Sequence, residues 1–110
     1  GIDTSPQFPD NVVELSYDSP KYFKNIFNIY KLMQARDIRI KFNSTNINIT
    51  AIGHSEQNFI SASIDGSKLN RYYCKHNVVA VIARKNLDKI MQKIDPSYSN
   101  IHIIIKADSY

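Results

Sequence analysis

His54, Ser55 and Glu56 put a base, a hydroxyl and a carboxylate side by side. Hydrolytic chemistry needs a positioned base, a group that orients it and an oxyanion site, and nothing else in the chain supplies these. The trio therefore reads as a polar surface loop. His76 and His102 stand alone, whereas a zinc site takes three or four ligands at recognisable spacing. Three glycines leave no room for a glycine-rich phosphate loop. The single Cys74 excludes an internal disulfide framework and reads as a packed thiol in a reducing, intracellular setting. No catalytic residue, metal or cofactor is expected.

The lysines carry more information. Placed at the helical repeat, Lys21, Lys24 and Lys31 share one narrow arc, while Phe23, Ile26, Phe27, Tyr30 and Met33 fill the other side. Lys85, Lys89 and Lys93 recur at spacing four, opposite Leu87, Ile90, Met91 and Ile94. With Arg84, these segments hold seven of the chain's 14 basic residues against one acid, Asp88. Solvated helices usually mix signs. A one-sign face suits a polyanion, and lysine on a helix flank contacts phosphates without reading bases. The net charge of +4 and a pI near 9.2 are compatible with a localised patch.

These faces need a frame. At 110 residues the chain makes one domain, with residues 1–11 as a flexible N-terminal tail and 12–110 as the folded part. A strand is expected over 12–17. Asp18-Ser19-Pro20 starts a helix running to about Ala35. Alternation over 38–42 and 47–52, turned by Ser44-Thr45-Asn46, gives a hairpin. Further strands are expected over 59–64 and 72–82, the latter interrupted near Lys75-His76-Asn77. A second helix spans about 84–94 before Asp95-Pro96, and a last strand covers 101–106. The order implies an α+β domain with mainly antiparallel sheet and both helices on one face. Ile103-Ile104-Ile105 implies a strand buried on both faces or paired centrally, so close to the end that the domain looks incomplete there. Of Tyr72 and Tyr73, adjacent on a strand, one is expected to be exposed.

Several of these residues also resemble a known family. Tyr72-Tyr73-Cys74-Lys75-His76-Asn77-Val78 followed by Leu87-Asp88-Lys89-Ile90-Met91 is similar to the Y-x-C-D strand and L-x-x-L/M-x-K-I/L-L-K helix of DNA sliding clamps, the proliferating cell nuclear antigen family. The stretch from Phe42 through Asn43-Ser44-Thr45-Asn46 to Ile52 resembles that family's hairpin before its M-D-x-S-H loop. Phe23-Lys24-Asn25-Ile26-Phe27 through Lys31 resembles its first channel-lining helix. The likeness covers about Val12 to Asp108. Ser16-Tyr17-Asp18, Ile64-Asp65-Gly66 and Tyr72-Tyr73 resemble, more narrowly, the divergent clamp-like proteins of large DNA viruses such as asfarviruses.

The resemblance implies a clamp (processivity-fold) domain in a homo-oligomeric, trimeric ring around duplex DNA, helices inside and sheets outside. Lys24, Lys31 and Lys89 match channel lysines of the family; Lys21, Lys85 and Lys93 join them by periodicity. DNA polymerase and other replication or repair proteins are the implied partners, in the nucleus or a viral replication compartment. Partner peptides would dock near Ile52, Gly53, His54, Ser55 and Glu56, although Gly53 replaces the family's acid and Glu56 its histidine. A clamp domain carries two more strands than this chain, so residues 1–110 would be an incomplete first domain that closes no ring by itself. Two other readings compete: a clamp-like factor that binds DNA without encircling it, and an unrelated α+β nucleic-acid module. The RNA-binding form of the latter needs aromatics exposed on central strands, where this chain alternates Ile with Asn, Ser or Thr.

Overall fold

The computed structural model describes residues 1–52, 59–94 and 100–107, with backbone alone at positions 52 and 59. Its elements run β1 (Asn11–Tyr17), α1 (Pro20–Leu32), β2 (Asp37–Phe42), β3 (Asn46–Ile52), β4 (Phe59–Asp65), a 3-10 turn (Gly66–Lys68), β5 (Arg71–Cys74), β6 (Val78–Ala83), α2 (Arg84–Gln92) and β7 (Ile101–Lys106). The α+β class is as the sequence implies. The strands form two antiparallel sheets, ordered β5-β1-β7 and β4-β3-β2-β6.

Period-two alternation makes the four-stranded sheet. Ile38, Ile40 and Phe42 of β2 point inward, paired with Ala51, Ile49 and Ile47 of β3, while Arg39 and Lys41 stay in water. β1 is the middle strand of the other sheet. Val13, Leu15 and Tyr17 lie on the core side, in register with Cys74 and Tyr72 of β5 and with Ile105, Ile103 and Ile101 of β7. The same core takes Phe23, Phe27 and Tyr30 of α1 and Leu87 of α2. Tyr30 also anchors helix to sheet, its hydroxyl donating to the Ile49 carbonyl at 2.7 Å.

Four details depart from the sequence expectation. α1 ends at Leu32, three residues early. Gln34 adopts φ 57°, and the Ala35 and Gln34 amides donate to the Tyr30 and Lys31 carbonyls, a Schellman ending that glycine usually marks. β7 has β1 as its one sheet neighbour among the described residues. It is thus not central, and it is not buried on both faces either: Ile104 faces out, half exposed. Tyr72 and Tyr73 are both buried.

Residues 1–10 make the fourth difference. Composition made them a tail, but they run beside β5 and over the outer face of the three-stranded sheet. Ile2 bridges Tyr72 in parallel, and Arg71 and Glu14 hold the residues after it. The buried Glu14 side chain, 3% exposed, is the physical reason. A carboxylate inside a sheet face must find donors. It accepts from the Gln7 N–H (3.0 and 2.9 Å), the Asn11 amide (2.7 Å) and the Arg71 guanidinium. Burial pushes the Glu14 carboxyl up, but these donors outweigh it and hold the group at about 2.

Candidate nucleic-acid interface

α1 begins with Pro20 at its first position, where the missing N–H is no loss. Its buried stripe is Pro20, Phe23, Phe27 and Tyr30. At 100° per residue Lys24 and Lys31 sit beside Phe27, on the flank that meets α2, and Lys21 lies further round. Lys24, Phe27, Asn28 and Lys31 from α1 and Asp88, Met91 and Gln92 from α2 line a cleft of about 190 Å³ between the helices. The lysine flank of α1 thus borders the cleft, whereas Lys85 lies at the hollow where α2 begins and Lys89 and Lys93 sit further round α2.

Lys24 departs from its expected place. It is half-buried, and its ammonium donates to the Ile94 carbonyl at 2.8 Å, just past the end of α2. Positive charge is favourable there, because the last carbonyls of a helix lack partners and carry its negative end. Lys24 therefore joins the two helices and does not simply face solvent. Lys21, Lys31, Lys85, Lys89 and Lys93 are exposed, as expected.

Arg84 is also not free. Its Nε donates to the Ala35 carbonyl at 2.7 Å, and its guanidinium pairs with Asp88 one turn on, both side chains mostly buried. This pairing removes the only acid of the two helices from the electrostatic balance. Among the described residues, none of the six lysines is in an ion pair. A second hollow, about 420 Å³, lies where the two segments meet, lined by Gln34, Ala35, Arg36, Asp37, Ala83, Arg84 and Lys85.

The helices also expose apolar side chains, of which Ile29 and Leu32 lie outside the stripe that periodicity marks on α1. Ile29 is 52% and Leu32 83% exposed on α1. Ile90, expected in the apolar stripe of α2, is 53% exposed, because this nine-residue helix buries Leu87 alone.

Of the predicted docking loop, Ile52 ends β3, and Gly53, His54, Ser55 and Glu56 lie outside the described residues. His76 is exposed in the β5–β6 turn, and His102 faces out from β7 beside Glu14 and Arg71. The Cys74 thiol donates to the His76 carbonyl at 3.0 Å, and burial pushes its pKa up. No cluster of three or more His, Cys, Asp or Glu gathers among the described residues. No helix there is long and apolar enough to cross a membrane.

The Glu14–Arg71 cluster was missed at the sequence level. Its one signal was a glutamate in the middle of an apolar strand, Val12-Val13-Glu14-Leu15.

No family model matches the chain. It is similar to proteins of African swine fever virus named Uncharacterized protein E301R. Identity is 32% over 108 residues, 98% of this chain, to those of a Kenyan pig isolate, a South African tick isolate and a Namibian warthog isolate. The chain spans 36% of the length of these relatives.

Proposed function

We propose that this chain is part of a viral DNA sliding clamp, a non-enzymatic processivity factor that encircles duplex DNA and tethers DNA polymerase and other replication or repair proteins. The observation that carries the reading is the surface around the α1–α2 cleft. Lys24 and Lys31 line it, Lys21, Lys85, Lys89 and Lys93 lie elsewhere on the same two helices or at the end of α2, and none of the six has an acid partner among the described residues. The resemblance of the element order to clamp domains and the similarity to a large DNA virus's proteins support it. Lysines in such positions attract the phosphate backbone and impose no sequence, which suits sliding. Phosphate contacts here are made by Lys21, Lys31, Lys85, Lys89 and Lys93, with Lys24 holding the helices in place. The reading puts the protein at sites of DNA replication in the nucleus or a viral replication compartment.

The test is duplex binding by fluorescence anisotropy across a salt series. Changing Lys21, Lys31, Lys85 and Lys89 to alanine should leave thermal unfolding unchanged. It should lower the slope of log affinity against log salt by about 0.9 for each phosphate that is no longer neutralised. An unchanged slope would sink the reading. For the longer protein, blocking the ends of linear DNA should prolong retention; equal loss from blocked and free ends would favour an open, non-encircling binder.

A further inference from the structure

We propose that residues 1–9 are a latch over the edge of β5, keyed by the Glu14 carboxylate, and that the latch keeps this edge from pairing with the β5 edge of a second copy of the chain. β5 has one sheet neighbour, β1; its other edge presents the Tyr72 N–H and carbonyl. Both are taken by the latch. The Tyr72 N–H donates to the Gly1 carbonyl at 2.9 Å, and the Asp3 N–H donates to the Tyr72 carbonyl at 2.7 Å. The segment then crosses the outer sheet face. Arg71 donates to the Asp3 carboxylate (3.1 Å) and the Ser5 carbonyl (2.8 Å), and Glu14 accepts the Gln7 N–H.

The latch is held by polar groups. Ile2 is 47% and Phe8 60% exposed, so burial of apolar surface contributes little. Beyond the two bonds to the Tyr72 backbone, these hydrogen bonds converge on two neighbouring side chains, Arg71 and Glu14. A segment fastened in this way opens as a unit, at a free energy far below that of global unfolding. Once open, it leaves a proline-free edge, Arg-Tyr-Tyr-Cys, of high strand propensity. Two such edges are self-complementary: antiparallel β5–β5 pairing across a two-fold axis satisfies each copy's Tyr72 with the other's backbone.

The test uses Gln7→Pro, which removes the latch's N–H donor to Glu14 and leaves β1 and β5 untouched. In residue-resolved hydrogen exchange, the Asp3 amide should lose at least about tenfold protection although it bonds Tyr72 and not Glu14, while Ile40 and Ile49 keep theirs. Sedimentation velocity should show a dimer that grows with concentration, returning to monomer when a synthetic peptide of residues 1–10 is added. Unchanged Asp3 exchange, or an unchanged oligomeric state, overturns the proposal. If Ile40 and Ile49 also lose protection, the variant has unfolded, and a chain lacking residues 1–9 replaces it. That chain must dimerise and be returned to monomer by the peptide; a chain that stays monomeric overturns the proposal equally.

Discussion

Replacing Glu14 by glutamine keeps the shape of the most buried acid among the described residues while removing its charge. The folded carboxyl sits at about 2 against an ordinary value of 4.5. That displacement corresponds to ~3 kcal/mol of stabilisation of the ionised form, of which about 2–3 kcal/mol is a fair expectation in a partly hydrated cluster. The carboxamide also turns an N–H₂ group toward Arg71 or Asn11, donors themselves. Because the folded value lies below the unfolded one, the contribution is complete above about pH 4.5 and is lost as pH falls toward 2. Glu14→Gln should therefore be about 2–3 kcal/mol less stable than the parent in urea unfolding near pH 7. The gap should shrink steadily below about pH 4.5. Taking the difference between the two proteins at each pH cancels the other carboxylates. A gap that stays constant from about pH 7 to about pH 3 would refute the account of Glu14 as an ionised key.

Gly66→Ala should destabilise by about 2–3 kcal/mol in urea or thermal unfolding, because an added Cβ meets the Tyr72 ring and lies 2.9 Å from the Thr45 carbonyl oxygen, which is backbone and cannot move aside. Gln34→Gly should raise stability by about 0.5–1 kcal/mol, the left-handed φ of 57° being free for glycine and strained for glutamine; an unchanged melting temperature would argue against the Schellman ending. Lys24→Met should cost about 1 kcal/mol in unfolding, since the Ile94 carbonyl loses its donor, while Lys31→Ala should stay within about 0.5 kcal/mol. The reverse ranking would place Lys24 in solvent.

Where one physical signal dominated, the sequence was enough. Ile38, Ile40 and Phe42 alternate with polar residues, and β2 is a half-buried strand with those three inside. Lys75-His76-Asn77 interrupted a strand-prone run, and the chain turns there between β5 and β6. Misses came where a partner far along the chain decided the outcome. Gln34 ends α1 in a conformation that its side chain does not advertise, supported by packing that buries Ala35 and Tyr30. Helical periodicity placed Lys24 on one arc with Lys21 and Lys31, but it could not show that the arc turns toward α2 and the Ile94 carbonyl. Glu14 and Arg71 are 57 positions apart, and neither composition nor period links them. The tail looked structureless because its order comes from that pair and not from its own residues.

β1 pairs with β5 and, in register, with β7: Leu15 opposes Ile103 and Tyr17 opposes Ile101. During synthesis β1 thus leaves the ribosome well before the strand it must pair with. At about 5–20 residues per second, the intervening stretch takes about 5–20 s to synthesise. Until β5 emerges, Val12, Val13 and Leu15 are an unpaired, strongly strand-forming run in the nascent chain, and the β7 side of β1 stays open for the rest of the interval. Glu14 stands in the middle of that run, charged and hydrated, and interrupts the apolar stretch that would otherwise invite intermolecular association. The same carboxylate protects the strand before folding and is buried in the face of the sheet afterwards.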